Sequence, residues 1–161
     1  MSSIPSSLCL LTSLPSLALA HNRFTSSLPS CMGNLLALTS FTLDYNSLSS
    51  TIPNALGRLT NLAGLSLGHN RFVGSVPANL SRLTRLASLD LSYNHLNGAP
   101  PFDLGSDLPQ SAPIYVTGNG FQCSVPFQSD GQWTSSYTLH SQISTSSCPY
   151  RRHCPRLYLL I

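Results

Sequence analysis

Apolar and polar positions along this chain follow one pattern that returns every 24 residues. Each copy has three leucine-type residues at intervals of three, a fourth two residues later, an asparagine three residues after that, and one more apolar residue. The four copies are Leu11, Leu14, Leu17, Leu19, Asn22 and Phe24; Leu35, Leu38, Phe41, Leu43, Asn46 and Leu48; Leu59, Leu62, Leu65, Leu67, Asn70 and Phe72; and Leu83, Leu86, Leu89, Leu91, Asn94 and Leu96. A fixed period of this length predicts a solenoid, in which each copy forms one coil stacked on the next.

The spacing within a copy predicts its local structure. Leu17 and Leu19 are two residues apart, so both point to one side of a short strand. The asparagine amide has donors and an acceptor on a short stem, which suits the backbone groups of the turn that follows. We therefore expect a hydrogen-bonded ladder between coils, made by Asn22, Asn46, Asn70, Asn94 and Asn119. A second short strand is expected before the proline of each apolar-Pro pair, since proline cannot donate a backbone hydrogen bond.

The register divides the chain into coils and two ends. We expect the tail of an upstream repeat at 1–10, repeats at 11–34, 35–58, 59–82 and 83–107, a degenerate fifth repeat at 108–126, a Cys-containing cap at 127–148, and a loose basic tail at 149–161. Residues 1–20 also look like a signal peptide, but Ile4, Pro5 and Leu8 lie 48 positions before Ile52, Pro53 and Leu56, which favours a repeat tail. A leucine core open at that end favours a fragment of a longer protein, with self-association through the open end as the alternative.

The segment 83–98, which reads LTRLASLDLSYNHLNG, resembles the plant-type leucine-rich repeat. The resemblance covers residues 4–126. It implies an α/β solenoid: a right-handed coil with a concave parallel β-sheet, short second strands on the convex side, and 3-10 or irregular turns. The family includes ectodomains of receptor-like kinases and receptor-like proteins, inhibitors of cell-wall enzymes, and protist surface proteins.

The resemblance also implies a function class. It predicts non-catalytic recognition of a protein, peptide or glycan through the concave face, outside the cell or at its surface, in a parent protein that a membrane span outside this chain could anchor. The alternative is a secreted inhibitor of a cell-wall glycosidase, similar to polygalacturonase inhibitors. Neither interpretation requires a cofactor.

Charge excludes some partners. Only 8% of the residues are charged and the net charge is +3. The repeats carry no basic stripe of the kind that a phosphate backbone requires, which argues against nucleic acid. No stretch approaches the roughly 20 apolar residues of a membrane span.

The concave strand face is the default binding surface of a solenoid. Aligning the copies places polar and aromatic residues in columns on this expected face: His21, Arg23, Asp44, Tyr45, Ser66, His69, Arg71, Asp90, Tyr93 and His95. The alternative is that each His or Tyr before the ladder asparagine packs on the next coil as part of the repeat. Ser66, His69 and Asp90 could approach one another, but no nucleophile elbow or oxyanion site accompanies them, so we expect no enzyme activity.

Five cysteines and one sequon complete the candidate chemistry. Cys123 and Cys148 are expected to form a disulfide, with Cys154 as a competing partner. A zinc set of these cysteines with His153 lacks a C-x-x-C pair, so no metal site is predicted. Cys9 and Cys31 lie on neighbouring coils, and their spacing does not decide whether they pair. Asn79-Leu80-Ser81 is an N-glycosylation sequon that also fills an ordinary slot of the repeat.

Overall fold

A computed structural model of the chain describes residues 2–98 and 113–121. It shows the predicted leucine-rich-repeat solenoid, built from two parallel sheets and a stack of 3-10 helices. The first sheet consists, in order, of β1 (Ser16–Ala18), β3 (Ser40–Thr42), β5 (Gly64–Ser66), β7 (Ser88–Asp90) and β9 (Ile114–Tyr115). The second sheet consists, in order, of β2 (Thr25–Ser26), β4 (Ser47–Ser50), β6 (Arg71–Gly74), β8 (His95–Gly98) and β10 (Gly120–Phe121). The 3-10 helices are η1 (Ser6–Leu10), η2 (Ser30–Asn34), η3 (Asn54–Arg58) and η4 (Ala78–Arg82).

The strands of the first sheet pair in the register of the repeat. Leu17 lies opposite Phe41, Phe41 opposite Leu65, and Leu65 opposite Leu89. Leu89 then lies opposite Ile114, which is 25 positions later and not 24, because the fifth copy has one additional residue. Because paired strands lie about 4.8 Å apart, equivalent side chains of successive copies form columns across the sheet.

The core lies inside the coils and is made of the recurring apolar positions. In the second copy Leu35, Leu38, Phe41, Leu43 and Leu48 are all 0% exposed. The first copy is less buried, since Leu11 is 50% exposed. A fully buried leucine contributes about 2 kcal/mol relative to an exposed one. The inner copies therefore supply most of the apolar stabilisation.

The 3-10 helices begin after prolines and pack closely on one another. Pro29 and Pro53 are N-cap residues with φ values of −60° and −66°, which the proline ring imposes. Each of these prolines thus starts a 3-10 helix three residues after a second-sheet strand has ended. A Cβ on Gly33 would lie 2.2 Å from the carbonyl oxygen of Ala55, and one on Gly57 would lie 2.2 Å from that of Asn79. Glycine is therefore required where η2 packs on η3 and where η3 packs on η4.

Residues 2–10 pack on the first copy and include η1. Ser2 makes a parallel bridge to Phe24, and its carbonyl accepts a hydrogen bond from the backbone N–H of Thr25 at 3.0 Å. Ile4 is only 3% exposed. This segment therefore covers part of the first copy.

A disulfide joins η1 to η2. Cys9 and Cys31 are bonded, with their Cα atoms 5.7 Å apart, so the structure decides between the two alternatives that spacing left open. Cys9 occupies the repeat slot of Gly33 and Gly57, while Cys31 occupies the slot of Ala55 and Asn79. The bond thus forms where successive 3-10 helices come closest.

Replacing both Cys9 and Cys31 with serine is expected to lower the free energy of unfolding by about 3 kcal/mol. The two residues are separated by 22 positions, and closing a loop of that length removes this much conformational entropy from the unfolded chain. Urea denaturation measures the difference. The single variant Cys9→Ser should lose as much as the double variant, because either change breaks the bond. A double variant as stable as the parent would count against the bond.

The fifth copy continues both sheets. β9 pairs with β7, β10 pairs with β8, and Ile114 and Val116 are 4% and 3% exposed. The predicted cap at 127–148, the tail at 149–161 and the predicted pairing among Cys123, Cys148 and Cys154 lie outside the described residues.

Candidate recognition surface

The asparagine ladder holds the coils in register beneath the candidate surface. Asn70 Nδ2 donates to the carbonyl oxygens of Leu43, Leu67 and Gly68 at 2.9, 3.2 and 3.1 Å, and its Oδ1 accepts from the backbone N–H of Leu48 at 3.0 Å. One side chain therefore binds its own turn and two points of the preceding coil. Asn46, Asn94 and Asn119 repeat the arrangement.

Asn22 differs from the other ladder residues. It is exposed, and its Nδ2 donates only within its own turn, to the carbonyl oxygens of Leu19 and Ala20 at 3.0 and 2.9 Å. It therefore lacks the bonds between coils that Asn70 makes.

The face of the first sheet that points away from the core is narrow and built mostly from small side chains. Its two principal columns are Ala18, Thr42, Ser66, Asp90 and Tyr115, and Ala20, Asp44, Gly68, Ser92 and Thr117. We call this the first-sheet face. It contains three of the predicted site residues, namely Asp44, Ser66 and Asp90.

The two aspartates of the first-sheet face lean toward the third copy from opposite sides. Asp44 Oδ1 accepts a hydrogen bond from the hydroxyl of Ser66. Asp90 Oδ1 accepts from the backbone N–H and the hydroxyl of Ser92 at 2.8 and 2.7 Å, and a Cβ on Gly68 would lie 3.0 Å from the same oxygen. Each carboxylate is thus held by one oxygen, and the structure gives no hydrogen bond to the other oxygen within residues 2–98 and 113–121.

Two glycines of the third copy lie near these carboxylates, and one of them leaves open space. A Cβ on Gly64 would meet no atom within 4 Å, so the start of β5 is open. Gly68, two residues after β5, lies beneath the carboxylate of Asp90. The predicted site residues did not include either glycine. Both glycines are visible in the aligned repeats as positions without a side chain, in columns where the other copies have one.

The aromatic column borders the first-sheet face. The rings of His21, Tyr45, His69 and Tyr93 stack on one another, with successive centroids 4.4, 4.1 and 4.4 Å apart. A Cβ on Gly118 would lie 2.6 Å from Tyr93 Cδ1, so Tyr93 also packs on the next copy. The faces of Tyr45, His69 and Tyr93 are covered, and these rings present mainly their edges to solvent.

The stacked residues share an unusual backbone conformation. His21, Tyr45, His69 and Tyr93 have φ values of 55°, 53°, 51° and 50°, in the left-handed region that costs a side-chain-bearing residue about 1 kcal/mol or more. Ring stacking contributes roughly 0.5–1.5 kcal/mol per pair beyond area burial, which offsets that cost. The packing that was considered as the alternative to ligand binding is therefore present, and these rings have a structural role.

Three predicted residues, Arg23, Arg71 and His95, share one repeat position and lie in another part of the surface. Arg23 directly precedes Phe24, which bridges to Ser2 outside the first sheet. Arg71 and His95 are the first residues of β6 and β8, so they belong to the second sheet and not to the concave strand face. This corrects their predicted position. The short turn that contains the ladder asparagine redirects the chain immediately before them, which an alignment of columns does not reveal.

The structure does not bring Ser66, His69 and Asp90 together as a catalytic set within the described ranges. The Ser66 hydroxyl donates to Asp44, and the His69 ring lies between Tyr45 and Tyr93. Asp90 is bound to Ser92. These contacts position a rigid polar surface and do not form a nucleophile with its base.

A leucine rich repeat family model matches residues 12–72 and 37–96. The combined span of 12–96 is more than half of the 161 residues. The chain belongs to the leucine-rich repeat family. Its repeats are of the plant type, since plant receptor kinase ectodomains are among its structural neighbours. A search of curated proteins finds no match.

Three solved structures illustrate the similarity of this leucine-rich repeat chain. The ectodomain of the Arabidopsis thaliana receptor kinase GASSHO1/SCHENGEN3, in complex with Casparian strip integrity factor 2, is 36% identical with a TM-score of 0.69, over 74% of this chain and 14% of that chain. The ectodomain of the Arabidopsis receptor kinase HAESA, in complex with an extended IDA peptide hormone, is 34% identical with a TM-score of 0.63, over 74% and 24%. A plant ice-binding protein is 30% identical with a TM-score of 0.70, over 74% and 39%. The chain thus spans less than half of each of these structures.

The described part of this leucine-rich repeat chain has neither a membrane-spanning helix nor a metal-binding cluster. None of its helices is long and apolar enough to cross a membrane. Over the same residues, His, Cys, Asp and Glu side chains form no group that could hold a metal ion.

Proposed function

We propose that this chain is a non-catalytic recognition segment whose first-sheet face binds an extended peptide that carries a basic side chain. The observation that carries the proposal is the placement of charge. Asp44 and Asp90 both lie on the first-sheet face, and they are the only acidic residues in the ranges 2–98 and 113–121. The five Arg residues of those ranges, Arg23, Arg58, Arg71, Arg82 and Arg85, all lie outside its columns.

The shape of the face supports a peptide. The open surface at Gly64 leaves room for a peptide backbone beside the two carboxylates, whereas the space above Gly68 holds the carboxylate of Asp90. A guanidinium or ammonium group placed over the third copy would lie between the two aspartates, each of which has one oxygen that makes no hydrogen bond within the described structure. Hydrogen bonds between ionised partners are among the stronger ones in proteins.

The aromatic column favours a peptide over a glycan. Sugar rings usually bind aromatic side chains through the ring face, but the faces of Tyr45, His69 and Tyr93 are occupied by their neighbours. Tyr45 and Tyr93 are nevertheless 49% and 53% exposed, so their hydroxyl-bearing edges remain accessible. Such edges can hydrogen-bond a peptide backbone at the border of the first-sheet face.

The proposed setting is extracellular. The disulfide between Cys9 and Cys31 is of the kind that persists in oxidising compartments. The GASSHO1/SCHENGEN3 and HAESA structures are ectodomains of plant receptor kinases, which supports the same location for this chain.

Selection from a random linear peptide library displayed on phage tests the proposal. Peptides recovered on the immobilised chain should be enriched in Arg and Lys relative to the input library. The double variant Asp44→Asn/Asp90→Asn should bind a selected peptide about 30-fold more weakly, because a hydrogen bond to a charged group contributes roughly 1.5–3 kcal/mol. The variant Gly64→Tyr should also lose binding, since its ring would fill the open floor while the free energy of unfolding stays unchanged.

The matched control is Arg58→Gln/Arg82→Gln, which alters two exposed charges on the 3-10 helices. It should leave peptide affinity unchanged. Enrichment of acidic peptides, or equal losses in the two double variants, would overturn the assignment of the first-sheet face.

A further inference from the structure

The chain contains a single Asn-x-Ser/Thr sequence in which x is not proline, Asn79-Leu80-Ser81. We propose that Asn79 carries an N-linked glycan on the side of the solenoid formed by the 3-10 helices. All three residues belong to η4. Leu80 is 0% exposed and anchors the helix in the core, whereas Asn79 is exposed. The acceptor side chain therefore faces solvent.

The Asn79 side chain has no structural role of the kind that other asparagines have. Asn70 and Asn94 are buried in the ladder, and Asn61 donates to Leu36 and accepts from Arg85. The structure gives the Asn79 amide no hydrogen bond within the described ranges. Its contact with Gly57 is made by the Asn79 carbonyl group and Cβ, which a modification at Nδ2 leaves in place.

Ser81 occupies a slot that is glycine in the two preceding copies. At Gly33 and Gly57 an added Cβ would collide with the backbone of the next 3-10 helix at 2.2 Å. Those copies therefore cannot hold the hydroxyl residue that an acceptor sequence needs at its third position. Copy three departs from this rule, and Ser81 is half-buried with a side chain in the glycine slot. Cys9 in the first coil also has a side chain at this repeat position, so a serine is compatible with the repeat.

The reaction balances with a polyprenyl-pyrophosphate oligosaccharide as donor and an oligosaccharyltransferase as catalyst. The Asn79 amide nitrogen forms a bond to C1 of the first sugar, and the bond from C1 to the pyrophosphate oxygen breaks. The amide proton leaves with the pyrophosphate, and no group is oxidised or reduced. The glycan would cover the exposed ends of η3 and η4, including Arg58 and Arg82, and would leave the first-sheet face open.

This inference rests on the extracellular setting in the proposed function. The test directs the chain into the secretory pathway, so that its result depends only on whether Asn79 is an acceptor. The full chain is fused behind a strong secretion signal, expressed in a eukaryotic secretory host, and compared before and after treatment with a peptide N-glycosidase. The secreted chain should lose one glycan mass on treatment, and peptide mapping should find Asn79 converted to aspartate.

Matched variants separate the acceptor sequence from the fold. Asn79→Gln and Ser81→Ala should remove the mass shift, Ser81→Thr should keep it, and Asn61→Gln should not alter it. The free energy of unfolding of the deglycosylated chain should be the same with Asn79 or with Gln at that position. A secreted chain with an unmodified Asn79 would overturn this inference but would not affect the peptide selection, whose failure would overturn only the recognition proposal.

Discussion

Replacing Asn70 with alanine is expected to lower the free energy of unfolding by about 4 kcal/mol. Asn70 is 7% exposed and joins its own turn to the backbone of Leu43 and Leu48 in the preceding coil. Alanine would leave these backbone groups without their amide partner and without water. Each unsatisfied buried group costs roughly 1–3 kcal/mol, and the small cavity adds to that cost.

Asn22→Ala is the matched control for this prediction. The side chain occupies the same repeat position and is removed in the same way, but it is exposed and bonds only within its own turn. We expect a loss of about 1 kcal/mol, measured by urea denaturation alongside Asn70→Ala. Equal losses would mean that the bonds between coils add nothing to stability, and the ladder would then not be what holds the repeats in register.

The sequence predicts the solenoid well because the two-residue spacing of a strand and the 24-residue period of the coils place apolar residues at the same positions. A strand requires inward residues two positions apart, and stacking requires the same residues in every coil, so Leu65 and Leu67 satisfy both conditions at once. The asparagine is equally readable, because a buried turn needs a short side chain with donors and an acceptor. The comparison with known proteins confirms the family that these positions indicated.

The surface is harder to predict, because side-chain direction depends on neighbouring copies. The column alignment places Asp90 on the first-sheet face, but it does not show that the carboxylate lies over Gly68. It places Tyr45 and His69 in one column, but it does not show that their rings stack face to face on a left-handed backbone. Two residues that share a column are known to be neighbours, while the rotamers that decide their chemistry are set by packing.

The sequence contains both cysteines of the disulfide, but their spacing alone does not show that they pair. Cys9 lies in the column of Gly33 and Gly57, and Cys31 lies in the column of Ala55. That these two columns touch follows only from the packing of 3-10 helices, where a Cβ on Gly33 would lie 2.2 Å from Ala55. With that contact known, the cysteine pair could have been predicted from the sequence.

Replacing Gly57 with alanine should lower the free energy of unfolding by about 4 kcal/mol. The change adds an atom where there is no space for it, whereas Asn70→Ala removes hydrogen-bonding atoms. The new Cβ would lie 2.2 Å from the carbonyl oxygen of Asn79, 2.7 Å from its carbonyl carbon and 2.8 Å from its Cβ. Two of these atoms belong to the backbone of η4, so no rotamer change relieves the overlap. The helices must separate, which loosens Leu56 and Leu80, both 0% exposed. Overpacking typically costs 1–3 kcal/mol, and rigid backbone contacts place this site at or just beyond the upper end of that range.

Gly64→Ala is the control, since it adds the same methyl group where the structure has no atom within 4 Å. It should leave stability unchanged or raise it by up to about 1 kcal/mol, because alanine restricts the unfolded chain more than glycine does. Urea denaturation of the two variants compares a crowded glycine with an open one in the same repeat. If Gly57→Ala were as stable as Gly64→Ala, η3 and η4 could not cross as closely as described. The explanation for the glycines at positions 33 and 57 would then fail.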